Sequence, residues 1–61
     1  MPIITIEGPP ILDTDKRRKL VMDLTIAATE AYAMPKDKII VLVRENQPDQ
    51  VAVAGELISD K

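Results

Sequence analysis

The 61-residue chain contains no cysteine and no histidine. The first absence excludes disulfides and thiolate chemistry. Together they remove the usual ligand sets for zinc, haem and iron–sulfur clusters, and any Ser-His-Asp triad. Aromatic residues are almost missing too, Tyr32 being the only one. A single ring cannot form a stacking platform for bases, and eight basic against ten acidic residues offer a phosphate backbone little attraction. Nucleic acid is therefore not an expected partner. No apolar run approaches the ~20 residues of a membrane-spanning helix, and no signal peptide is visible. The composition reads as a cytoplasmic domain that has no membrane partner.

What is present is a single small domain, residues 1–61. A chain this short buries only about 60% of the surface its unfolded form exposes, which leaves a lone monomer marginal. Disulfide and metal staples being excluded, association with copies of itself is the expected source of stability, and the first expectation is a homo-oligomer.

Three units follow one another without a linker. Ile3-Ile4-Thr5-Ile6 is a β-branched run stopped by Gly8-Pro9-Pro10, which predicts a short strand. Asp13 is a candidate helix N-cap, because its carboxylate can accept free amide hydrogens of the first turn. From Thr14 to about Ala33 the pattern has helical period, with Leu20, Val21, Leu24, Ala27, Ala28 and Ala31 forming the core-facing stripe. Met34-Pro35 closes the helix. Ile39 to Val43 predicts a second strand covered on both faces, Gln47-Pro48-Asp49 a turn, and Val51 to Gly55 a short extended piece before a polar tail. Two strands joined by a long helix make a βαβ unit with parallel, adjacent strands and a right-handed crossover, an α+β architecture. Met22 and Ile26 lie one turn apart opposite the core stripe, either as scattered surface residues or as a second packing surface. Two strands alone make too small a sheet, so extension between chains is expected to cover the open edges.

The unusual element chemically is Met1-Pro2. Initiator methionine is generally removed before a small residue, and removal here leaves Pro2 with a free secondary amine at the head of a strand. An ordinary α-amino group titrates near pH 8, and apolar neighbours such as Ile3, Ile40 and Val51 would disfavour its charged form. A neutral amine is a competent general base, or a nucleophile towards carbonyls. On this residue alone, an ordinary N-terminal proline is the simpler reading.

The order of features changes that balance. They are Met-Pro at the head of a hydrophobic strand, the Asp13 cap with a Lys/Arg-rich first turn, Leu20-Val21-x-x-Leu24, Ala33-Met34-Pro35, the strand ending in Arg44-Glu45, and Val51-Ala52-Val53-Ala54-Gly55-Glu56-Leu57. In this order and spacing the whole chain resembles the 4-oxalocrotonate tautomerase family. The resemblance implies a βαβ subunit with a C-terminal hairpin, a four-stranded sheet per dimer and a hexamer built as a trimer of dimers. It also implies cofactor-free keto–enol tautomerisation of 2-oxo or 2-hydroxy-dienoate acids, with Pro2 moving the proton. Studied enzymes of the family carry an arginine just before the helix, another near the start of the second strand, and a phenylalanine in the closing hairpin. The corresponding positions here are Leu12, Ile40 and Val51. An aliphatic residue cannot reproduce a bidentate, charge-assisted grip on a carboxylate, whereas Val51 can still form an apolar wall.

Replacement cations for a carboxylate substrate are Lys38, on the face of Ile40 if the strand reaches back that far, nearby Lys36, and Lys16 or Arg17 in the first turns of the helix. Arg44, four residues beyond Ile40, lies some 13 Å along the strand and out of reach. The Lys16-Arg17-Arg18-Lys19 run also reads as a solvated face. Glu45 and Glu56 read first as capping and surface-solubility residues, with bracketing of the hairpin as the alternative, and Gly55 is expected to serve its backbone. Two alternatives stand beside the tautomerase reading. One is a Pro-dependent lyase or hydratase; the other is a non-catalytic oligomeric assembly protein of the same fold.

Overall fold

Both β-branched runs form strands, and in the computed structural model, which describes residues 1–61, they lie side by side in parallel. β1 spans Ile3–Gly8 and β2 spans Ile40–Glu45, in register from Ile3 opposite Ile40 to Gly8 opposite Glu45. Each therefore runs two residues further than its apolar core suggested. The ladder supplies backbone partners for Glu7, Gly8, Arg44 and Glu45, which outweighs their weaker strand preference. At the other end β2 starts one residue late, because the Ile39 amide donates to the Lys36 carbonyl and so closes a 3-10 turn over Lys36–Lys38.

α1, Thr14–Tyr32, joins the strands. Its cap is the expected one, with the Asp13 carboxylate accepting from the Asp15 amide at 2.9 Å. It ends at Ala33, in the left-handed region at φ 53°, ahead of Met34-Pro35. The strand pleat turns Ile4, Ile6, Val41 and Val43 towards the helix, while Ile3, Thr5 and Leu42 face away. On the helix the covered stripe is Leu20, Val21, Leu24, Thr25, Ala28 and Thr29; Ala27 and Ala31 are exposed, contrary to expectation. The stripe is rotated because the returning Lys36–Lys38 turn packs beside Val21 and Thr25, shielding that flank and leaving the opposite one open. Thr25 and Thr29 keep their hydroxyls bonded within the helix, to the Val21 and Ile26 carbonyls at 2.7 Å each.

The polar tail is not a free end. β3, Ala52–Val53, pairs antiparallel with β4, Glu56–Leu57, through a two-residue Ala54-Gly55 turn at φ 54° and 80°. Positive φ at both positions is the geometry that twists a tight hairpin correctly, so Gly55 serves the backbone as expected. A second 3-10 turn, Pro48–Gln50, leads into the hairpin, and a third, Ile58–Asp60, follows it. The hairpin rests on these turns and makes no substantial packing against α1.

Ala28 is the only residue the isolated chain buries, at 6% exposure. The chain exposes 4790 Å², against roughly 3,900 Å² for a compact 6.7-kDa monomer. Its radius of gyration is 14.7 Å where a compact chain of this length has roughly 10.5 Å. The second strand, expected to be covered on both faces, is covered on one. Leu42 stands 42% exposed and Ile3 59% exposed on the face away from the helix. No helix is long and apolar enough to cross a membrane.

Candidate active site

Pro2 immediately precedes β1, and its carbonyl accepts a hydrogen bond from the Ile40 amide at 3.1 Å. This bond extends the parallel ladder by one step and fixes Pro2 at the strand head, half-buried beside Ile40. Met1 precedes it and is 76% exposed, so the bond that processing would cut is open to solvent. In the unprocessed chain the Pro2 nitrogen is a tertiary amide carrying no proton and no basic lone pair.

The seven residues singled out from the sequence fall into two groups at opposite ends of the sheet. Pro2, Ile40 and Lys38 are at the N-terminal end of the strands. Leu12, Lys16, Arg17 and Val51 are at the C-terminal end, about 20 Å away at ~3.3 Å per strand residue. One protomer therefore does not bring them together. A single site using both groups must take one from each of two chains.

At the Pro2 end, Lys38 does not share the Ile40 face as a strand residue, because β2 begins at Ile40. It lies in the 3-10 turn that delivers the chain to Pro2, exposed like Lys36 and in no ion pair. Lys38 is the cation closest in sequence to Ile40, and Lys36 lies two residues before it in the same turn.

At the opposite end, Arg17 is already engaged. Its Nη2 donates to the Ile11 carbonyl at 2.7 Å and pairs with Glu45 at 2.5 Å, while its Nε is buried without a partner. The second Glu45 oxygen accepts from the Ile11 amide at 3.1 Å. Glu45 thus belongs to the loop ahead of the helix and does not bracket the hairpin with Glu56, which pairs with Val53 in β4. The missed signal was parity: Glu45 shares the helix-facing side of β2 with Val41 and Val43. Leu12, next to this knot, is 94% exposed. Lys16 is exposed and unpaired, whereas Arg18 and Lys19 pair along the helix with Asp15 and Asp23. Such exposed pairs contribute little.

Val51 borders a concavity of about 350 Å³ with Glu7, Gly8, Pro9, Asn46, Pro48 and Ile58. This hollow is at the end of the sheet away from Pro2, out of reach of the proline of its own chain. Ile58 in its lining was hidden in what reads as a polar tail. No group of His, Cys, Asp or Glu is arranged to hold a metal ion.

Comparison with known proteins shows the family and the fold. A family profile described as tautomerase enzyme matches residues 2–61. The chain is 33% identical over 60 residues to 2-hydroxymuconate tautomerase of Bacillus subtilis (strain 168), covering 98% of this chain and 97% of that one. Among solved structures it superposes on a 4-oxalocrotonate tautomerase homologue with a TM-score of 0.91 and 31% identity, covering 100% of this chain and 97% of that one. It also superposes on DmpI from Archaeoglobus fulgidus with a TM-score of 0.85 and 37% identity, covering 97% and 100%.

Proposed function

Because this chain belongs to the tautomerase family, we propose that it is a cofactor-independent keto–enol tautomerase whose general base is the freed amine of Pro2. Its substrates are 2-oxo or 2-hydroxy-dienoate acids. The observation that carries the reading is that the family match begins at Pro2, the residue tied to Ile40 at the head of β1.

Removal of Met1 turns the Pro2 amide into a secondary amine, and the Pro2–Ile40 bond uses only the carbonyl, leaving the nitrogen unencumbered. The neutral amine takes the enol hydroxyl proton as the C=O bond forms. The resulting ammonium delivers a proton to the dienol carbon, so an O–H bond is exchanged for a C–H bond and the base is regenerated. This is general acid–base catalysis by one group. The substrate carboxylate is held by Lys38, with Ile40 as an apolar wall. A neighbouring copy supplies Leu12 and Val51, and with them the hollow they border, within a hexamer of three dimers. Lys16 lies at the entrance. Arg17, already paired with Glu45, acts on the loop and not on the substrate.

One observation favours a second reading, a non-catalytic assembly protein of the same fold: the two positions at which the resemblance implies arginine hold Leu12 and Ile40. An ultraviolet assay of phenylenolpyruvate ketonisation decides between them. Chain whose intact mass shows loss of Met1 is expected to accelerate the reaction well above buffer, and Pro2→Ala to reduce the rate. Processed chain that gives no acceleration supports the assembly reading.

A further inference from the structure

The loop between β1 and α1 contains two consecutive prolines, which fix φ but offer no amide to a backbone ladder, and a leucine with almost no contact to its own chain. The loop is instead held at both backbone groups of one residue. The Ile11 amide donates to Glu45 at 3.1 Å, the Ile11 carbonyl accepts from Arg17 at 2.7 Å, and Arg17 and Glu45 pair with each other at 2.5 Å. The result is a closed three-member ring joining the loop, the first turns of α1 and the last residue of β2. Both side chains are partly shielded, at 38% and 24% exposure, which makes the ring less open to solvent competition than the other two ion pairs on the surface.

The ring's immediate neighbour is Leu12, 94% exposed. A fully exposed leucine beside a doubly bonded backbone gains nothing for its own protomer. We propose that Arg17 and Glu45 are positioning residues: they hold the Ile11 backbone so that Leu12 projects as a fixed apolar wall into the Pro2 site of a second copy. The occupant is another copy of this chain because the isolated chain buries one residue and exposes large apolar side chains on the sheet face. This rests on the reading of the site as shared between chains. Neither Arg17 nor Glu45 touches substrate. Their loss should weaken binding and leave proton transfer by the Pro2 amine nearly intact, since they act only through an apolar wall.

Kinetics give the first test. Glu45→Ala and Arg17→Met are each expected to raise KM for phenylenolpyruvate five- to tenfold with kcat changed less than twofold. Arg17→Lys should recover part of the loss, since an ammonium keeps the charge and the donors but lacks the rigid planar fork and the reach of the guanidinium. Leu12→Ala should raise KM similarly, and adding Glu45→Ala to it should raise KM no further, because the two act through one side chain. Independent, multiplying effects would overturn the proposal, as would an unchanged KM in a folded Arg17→Met protein.

A second readout needs no activity, so it separates failure of this proposal from failure of the tautomerase reading. The chain has no cysteine, so Leu12→Cys creates a unique thiol. In the assembled protein its reaction with N-ethylmaleimide is expected to be at least tenfold slower than in the urea-unfolded chain. Adding Arg17→Met should restore at least tenfold of that rate while the assembly mass stays the same. Fast labelling in the parent would show that no second copy covers Leu12. Slow labelling in both would show that the ring does not position it. Either result overturns the proposal.

Discussion

At the scale of single residues, the chain differs from the pattern of the studied enzymes by the loss of charge. Leu12 and Ile40 stand where the resemblance implies arginines, and Arg17, the nearest guanidinium to Leu12 in sequence, is occupied by Glu45 and Ile11. Lys38 is left as the single cation near Pro2 proposed to bind substrate. One cation matches one carboxylate. A second carboxylate facing aliphatic walls would be desolvated without a partner, at a cost of several kcal/mol. A diacid is therefore expected to gain less than tenfold in kcat/KM over a matched monoacid. Lys38→Ala should lower the monoacid value by about tenfold or more, the loss of a charge-assisted bond worth roughly 1.5–3 kcal/mol. Paired Leu12→Arg and Ile40→Arg should raise the preference for the diacid. A hundredfold preference for the diacid in the unaltered protein would show that another cation, Lys16 foremost, already reaches the second carboxylate.

Among the elements, the helix and the parallel pair were legible because their signals are local: an Asp13 cap, a 3.6-residue apolar period, two β-branched runs and a closing proline. What escaped the sequence depends on contacts distant along the chain. The ladder carries Gly8 and Glu45 into the strands although neither favours one, and the Lys36–Lys38 turn covers Thr25 where apolarity alone selected Ala27. Glu45 became part of the loop only through Ile11, 34 residues away. The site divides similarly. Pro2 was legible as a terminal residue with its own chemistry, whereas the separation of Pro2 from Leu12 and Val51 follows from the length of the strands. Two backbone positions give a further expectation. Ala33 closes α1 at φ 53°, a conformation costing a residue with a Cβ about 1 kcal/mol. Ala33→Gly should stabilise the protein by about that amount, read as a higher denaturant midpoint. Gly55→Ala should lose about as much, since an added Cβ meets no atom within 4 Å and only the φ of 80° opposes it. Equal midpoints for all three proteins would contradict this account of the two turns.

For the whole molecule, the dominant fact is how little one chain buries. A single buried alanine, a projecting hairpin and an extended 44 × 24 × 12 Å outline describe a part of something larger. Sedimentation at micromolar concentration is expected to give about six chain masses, and a folded species of one chain mass would refute the oligomer. On the proposed reading assembly and catalysis are one requirement, because Pro2 and the hollow beside Val51 lie at opposite ends of one chain. The central claim, that this assembly moves a proton with the amine of Pro2, is tested most directly by comparing three N-terminal forms of equal assembly mass in phenylenolpyruvate ketonisation. The forms are processed chain beginning at Pro2, processed Pro2→Ala, and chain retaining Met1. The expected order places the proline form first, the alanine form lower because it still carries an amine, and the Met1 form at the buffer rate. Equal rates for the three would contradict the account and remove Pro2 from the mechanism.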